Sequence, residues 1–253
     1  MTASPDRPAD ASGAVERSLR LLRFIAEGGS TRNISEAARR IGVNRVTLMR
    51  LLATLEQAGM LVAEAEGHRL GVPFLTLAAA ALGSSSLIAR AREMLPGVAA
   101  ATRMSTYLVV REHHEIVYSL AETPDTPLVS QIRVGSRLPA YRATPGLAML
   151  ALADADEVAR MCESAWREAD APDWAALSAR LQRIRDEGCA WSHAALEAGI
   201  DSCAAPIVGG DGRAIAALSI AGPSQMFSGQ PGHAEVLAGR LKAAARQIAK
   251  LVG

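Results

Sequence analysis

The residues best suited to a chemical task lie in the stretch IGVNRVTLMRLLATLEQAGML, positions 41 to 61. On a helix turning about 100° per residue, Leu48, Leu51, Leu52 and Leu55 form one apolar stripe at i, i+3, i+4, i+7 spacing. Val46, Arg50, Ala53 and Gln57 point directly away from it. Arg45 and Met49 flank that outer face near the helix start, and Thr47 sits on its other edge. Guanidinium groups pair with phosphates or, in two-pronged fashion, with guanine, while branched alkyl and thioether groups press on thymine methyls. A face mixing two arginines with two apolar side chains suits a DNA major groove better than water. A solvated helix with incidental apolar residues is the bland alternative, and the neighbouring elements must decide.

Those neighbours supply a frame. Val15, Leu19, Leu22, Ile25 and Ala26 recur at helical spacing, and Gly28-Gly29 ends that helix. A second helix is expected from Ser35, read as its N-cap, through EAARRI to Gly42. The third runs from Asn44 to Ala58, and MLVAEAEGHRLG reads as a hairpin around Glu66-Gly67. Three helices and a hairpin make a winged helix-turn-helix over residues 13–72, and such a fold feeds the start of its third helix into the major groove. The DNA-contact candidates are Ser35, Asn44, Arg45, Val46, Thr47, Met49 and Arg50. His68 and Arg69 on the wing can touch phosphate or the minor groove, or simply form an exposed turn. Arg17 is a further phosphate candidate. Charge fits this division: residues 13–75 hold nine Arg and six Glu, whereas 76–253 hold seventeen basic and eighteen acidic residues.

Further along, residues 1–12 read as a disordered tail; residues 73–102 look helical, broken near Gly83-Ser84-Ser85-Ser86 and strained at Pro96, and the first part, 73–86, reads as a linker helix. From residue 87 to 253 the pattern predicts an α+β domain. STYLVVRE and EIVYSLAE are strand-like runs joined by a His-His turn, and LVSQIRV is a third. Helices are expected at 144–151, 154–166, 174–187 and from about Pro231 to Val252. SCAAPIVGGDGRAIAALSIAG is a hairpin of two apolar runs around Gly209-Gly210-Asp211-Gly212.

Other constellations lose their chemistry on inspection. His113-His114-Glu115 falls in a turn, where adjacent side chains diverge. Cys189 and His193, on a strand and a loop, share no face and lack a third ligand. GSSS is no nucleophile elbow, and GGDG precedes no helix, so it is a turn and not a phosphate cradle. Paired carboxylates at catalytic spacing are missing, and neither enzyme activity nor a cofactor is expected. Cys162, Cys189 and Cys203 are odd in number and lack CxxC spacing, which reads as reduced thiols. The N-terminal segment has no apolar signal core and no apolar run reaches spanning length, so a cytoplasmic protein without a membrane partner is expected.

With these pieces in order, the chain resembles the IclR family of bacterial transcription regulators over roughly residues 14–250. The resemblance rests on AVERSLRLLRFIAEGG, ISEAARRIGVNRVTLMRLLATLEQAGML, HRLG, VGSRLPAYRATPGLAMLAL, LQRIRDEGCAW and SCAAPIVGGDGRAIAALSIAGP. It implies a homodimer or dimer of dimers on double-stranded operator DNA, and a GAF-like C-terminal domain binding a small organic acid effector. Carried over by position, it implies a pocket of Leu138, Tyr141, Ala143, Thr144 and Pro145, facing Ser192, Ile200, Ser202 and Ser219 on two late strands with Cys203 beside them. The sequence departs from the family pattern at Tyr141 (a His elsewhere), Ala143 (Thr), Leu147 (often Lys), Ala195 (acidic) and Val46 (often Ser). These departures imply a less charged pocket and a different operator. The expected protein is a ligand-responsive regulator of a catabolic operon, with repression favoured over activation. The competing class is a sensor acting through protein contacts with a degenerate DNA-binding domain; Arg45 and Arg50 on the outward face argue against it.

Overall fold

A computed structural model describes residues 13–84, 86–126, 131–165, 173–195, 197–228 and 232–252. The chain divides after Ser84 into two compact units. The expected tail 1–12 and the start of the LVSQIRV run lie outside the described residues.

In the first unit, α1 (Ala14–Ala26), α2 (Ile34–Ile41) and α3 (Arg45–Gln57) precede a two-stranded antiparallel hairpin of β1 (Leu61–Glu64) and β2 (Gly67–Leu70). The three helices close on a small core of Leu21, Ile25, Ala37, Ala38, Ile41, Leu48, Leu52 and Leu61. The spacing that built the leucine stripe therefore does its work: Leu48 and Leu52 are buried, and Leu51 and Leu55 pack at the edge. One cap differs from expectation. Asn33, not Ser35, caps α2, its Oδ1 accepting the Glu36 N–H at 3.1 Å, and Ser35 lies one residue inside the first turn. Both residue types cap helices well, and the cap falls on whichever has extended backbone, here Asn33. α2 ends at Gly42, whose φ of 70° is left-handed, and Asn44 caps α3 through the Thr47 N–H at 2.8 Å. Gly71 after the hairpin is another required glycine, since a Cβ there would stand 1.9 Å from the Gly59 carbonyl oxygen. α4 (Pro73–Ser84) closes this unit.

The second unit begins with α5 (Ser86–Thr102), which continues through Pro96. Ala91, Leu95 and Ala99 face the core at i, i+4, i+8, and Pro96 lies on the exposed side, where water can serve the carbonyl that loses its amide. Next come β3 (Ser105–Glu112), β4 (Glu115–Glu122), β5 (Arg137–Pro139), α6 (Thr144–Leu150), α7 (Ala155–Ala165), α8 (Trp174–Glu187), β6 (Ala190–His193), β7 (Ile200–Val208), β8 (Ala214–Pro223) and α9 (His233–Val252). The strands form one antiparallel sheet in the order β5-β4-β3-β8-β7-β6. α5 and α9 cover one face, while α6 and α8 cover the other. Burial on both faces is why β3 and β8 read as near-continuous apolar runs instead of alternating ones.

Two strand assignments change. Residues 131–133 of the third apolar run are not strand; the pairing falls on Arg137–Pro139. β6 carries the strand through His193, where the sequence places a loop. A bulge at Ser119, where Leu108 pairs with Leu120 but Val109 with Tyr118, turns Tyr118 to one face and Leu120 to the other. No single helix among the described residues is long and apolar enough to cross a membrane.

Candidate DNA-binding face and effector cavity

The outward face of α3 is as the spacing requires. Val46 is 68% exposed and Met49 52%, an uncommon cost for apolar side chains in water, and Arg45 and Arg50 are exposed beside them. Thr47 is half-buried and its N–H is held by Asn44, whose side chain is committed to capping. Ser35 is exposed on α2 and lines a shallow groove with Ser30, Arg32, Asn33, Arg40 and Arg45. Sequence reasoning passed over Arg32 and Arg40 there. Arg32 ion-pairs with Glu66 on the wing at 2.6 Å, and Arg40 lies over the Phe24 ring at 5.0 Å.

The wing residues separate. Arg69 is exposed, paired with Glu64 at 2.6 Å across its own hairpin. His68 does not point outward. Its Nδ1 lies 2.7 Å from the Thr31 hydroxyl and its Nε2 3.0 Å from Glu56 on α3. A carboxylate only accepts, so Nε2 carries the proton toward Glu56, and in the neutral ring Nδ1 accepts from Thr31. Both nitrogens are spent fastening the wing to the helices, which corrects the expectation of a DNA contact. The signal that separates them is strand parity: His68 and Arg69 are adjacent, so only one can face outward.

In the second unit a cavity of about 430 Å³ opens between the sheet and α6. Leu138, Thr144, Pro145, Ser192, Ile200, Ser202 and Ser219 line it. Three expected residues do not. Ala143 is buried in the adjoining core and Tyr141 packs against that core. Cys203 faces the opposite side of the sheet, toward α9, because consecutive strand residues alternate and Ser202 takes the cavity side. Sequence reasoning missed Tyr107 and Tyr118, which form the floor as an edge-to-face pair with ring centroids 5.4 Å apart, and Ser136, Arg137 and Glu197 at the walls.

The polar groups differ in how far they are satisfied. The Thr144 and Ser202 hydroxyls lie 2.7 Å apart, Ser219 donates to the Cys203 carbonyl at 3.2 Å, and the Tyr107 hydroxyl accepts the Ile132 N–H at 3.2 Å. The Ser192 and Tyr118 hydroxyls have no hydrogen-bond partner among the described residues. Burial and then the neighbouring Tyr107 push the Tyr118 phenol well above its ordinary range, so it remains a donor. Arg137 is gripped by Glu115 at 2.8 Å and Glu112 at 2.9 Å, and these bonds raise its pKa further. Its charge is largely offset before any ligand arrives. Among the described residues no group of three or more His, Cys, Asp or Glu is placed to hold a metal.

Comparison with known proteins gives this arrangement its family. Residues 14–65 match the IclR helix-turn-helix domain, and residues 79–250 match the bacterial transcriptional regulator IclR C-terminal domain. The chain is 26% identical to the HTH-type transcriptional regulator KdgR of Escherichia coli over 254 residues, covering 98% of this chain and 95% of that one. Its structure resembles an IclR transcriptional regulator from Alicyclobacillus acidocaldarius at TM-score 0.83 and 26% identity, over 95% of this chain and 98% of the other. It also resembles, at TM-score 0.79 and 24% identity over 95% and 99% of the two chains, an IclR homologue from Microbacterium hydrocarbonoxydans complexed with 4-hydroxybenzoate. With both halves matched and the relatives regulators and not enzymes, the chain belongs to the IclR family of bacterial transcriptional regulators.

Proposed function

We propose that residues 13–72 read a pseudo-palindromic operator in double-stranded DNA, that 73–86 link, and that 87–253 form a GAF-like domain sensing a small organic acid. The observation that carries the DNA half is the α3 face, where Val46 and Met49 stand exposed between Arg45 and Arg50. Ser35, Asn44 and Thr47 border this face, and Arg69 supplies a phosphate contact from the wing. On the sensing side, the unpartnered Ser192 and Tyr118 hydroxyls point to a ligand that hydrogen-bonds. With Arg137 already shared between two glutamates, a single carboxylate held by hydroxyls fits better than a dianion.

The protein acts in this reading as a cytoplasmic homodimer or dimer of dimers, repressing a catabolic operon until effector shifts its two-state equilibrium. Support for self-association comes from α4, where every residue from 75 to 81, LTLAAAA, is exposed, a run too apolar to face water alone. The experiment is selection of an operator from randomised duplexes, followed by titration of Arg50→Ala on the selected site. Retained affinity in an intact dimer overturns the assignment of this face.

A further inference from the structure

A second cavity, about 680 Å³, opens at the edge of the sheet, where the outermost strand β6 meets α8 and α9. Arg180 and Arg183 line it from α8 and Lys242 from α9. Three apart on one helix, the two arginines share a face. Arg180 is half-buried and donates to the Trp191 carbonyl of the edge strand at 3.1 Å. Lys242 donates to the Glu187 carbonyl at 3.0 Å. Among the described residues no carboxylate lies within ion-pair distance of any of the three cations. Glu187 and Glu235 also line the cavity, but both are exposed, where solvent weakens their pull.

Elsewhere in this unit arginines withdrawn from water are matched by carboxylates. Arg111 meets Glu157 at 2.6 Å, and Arg137 lies between Glu112 and Glu115. Around the second cavity the cations are left to themselves. Burial and then the like charge of Arg183 lower the Arg180 pKa, so the cluster carries a desolvation and repulsion cost that a bound anion removes. The remaining wall is apolar. Ile184, Ala234 and Ala238 accompany Trp191, which is half-buried and meets Phe227 edge-to-face. His193 lies parallel to the indole with ring centroids 6.4 Å apart, held by Asp201 at 2.9 Å from its Nδ1.

We propose that this cavity is a second ligand site, separate from the effector cavity, for an organic dianion with a planar ring, either a phosphate monoester or a dicarboxylate. The forked donors of Arg180 and Arg183 match the paired oxygens of either group, and Lys242 adds a point charge. Trp191 offers the ring a flat apolar surface, and the volume falls in the usual range of small-molecule pockets. Charge separates the two cavities. In the effector cavity Arg137 is already shared between two glutamates, whereas here three cations stand without a carboxylate partner. The second charge of a dianion is therefore matched only at the sheet edge. Both sites back onto β6: Ser192 lines the effector cavity, while Trp191 and His193 on either side of it line the second.

The experiment is isothermal titration of the full chain, free of DNA, with phenyl phosphate and phthalate as probes and inorganic phosphate as the ringless control. At least one organic probe should bind with a dissociation constant below about 1 mM, and several-fold more tightly than inorganic phosphate. The tighter of the two identifies the anionic group. Arg183→Gln and Lys242→Gln should each weaken it about tenfold at unchanged melting temperature. Trp191→Leu should erase the advantage of the ring. No binding of either organic probe, or unchanged affinity in both charge variants, overturns the proposal. So does weakening by Ser202→Val or Arg50→Ala in their place, which would put the anion in the effector cavity or on the α3 face.

Discussion

The two candidate sites are assembled in opposite ways. The α3 face draws its core residues from positions 45 to 50, on one helix, and presents them outward. The effector cavity draws on β3, β4, β5, α6, β6, β7 and β8, from Tyr107 to Ala221, and turns them inward. A helix fixes the directions of its own side chains through its 3.6-residue period, so a site on one helix follows from spacing. An interior cavity exists only once strand register and helix docking are set. The first site should thus tolerate distant change and fail at single residues, whereas the second should degrade gradually.

The sharpest break in that comparison is Leu48→Ala. Leu48 is fully buried in the first unit's core, so its truncation should cost about 2–5 kcal/mol. Thermal denaturation should show an early transition, with effector binding by the second unit retained; one merged transition would show the units are not separable in stability. Next comes Arg50→Ala, with an expected loss of about 1–3 kcal/mol in operator affinity and a salt slope shallower by about 1. His68→Ala sharpens the contrast. Losing bonds to Thr31 and Glu56 should lower stability by about 1–2 kcal/mol while leaving the salt slope alone. A changed slope would return His68 to the DNA-contact set. The smallest effect is expected from Ser202→Val, which strips Thr144 of its 2.7 Å partner. Effector affinity, read by thermal shift, should fall by about 1 kcal/mol with operator affinity unchanged.

The legible part follows the same physics. Gly42, Asn44 and the leucine stripe announced α2, α3 and their turn, because caps and helical faces are local. The glycine-rich turn announced the β7–β8 hairpin in the same way. Cys203 was placed with its neighbours Ser202 and Ser219, though strand parity sends it to the far side of the sheet. Tyr107 and Tyr118 carried no sequence signal for a cavity, since their pairing depends on β3–β4 register and the Ser119 bulge. Cys189 and His193 were expected to share no face, yet both line one cavity between α8, β6 and α9.

By itself the sequence determined the architecture of the first unit and the outward set Arg45, Val46, Met49 and Arg50, since intrahelical geometry leaves those directions no freedom. It also determined most of the strands and helices of the second unit. Only the tertiary structure decided that His68 is a fastener and that Arg137 comes already clamped by two glutamates. Each of those facts is a contact between segments far apart in the chain, and register and packing, not local periodicity, set such contacts.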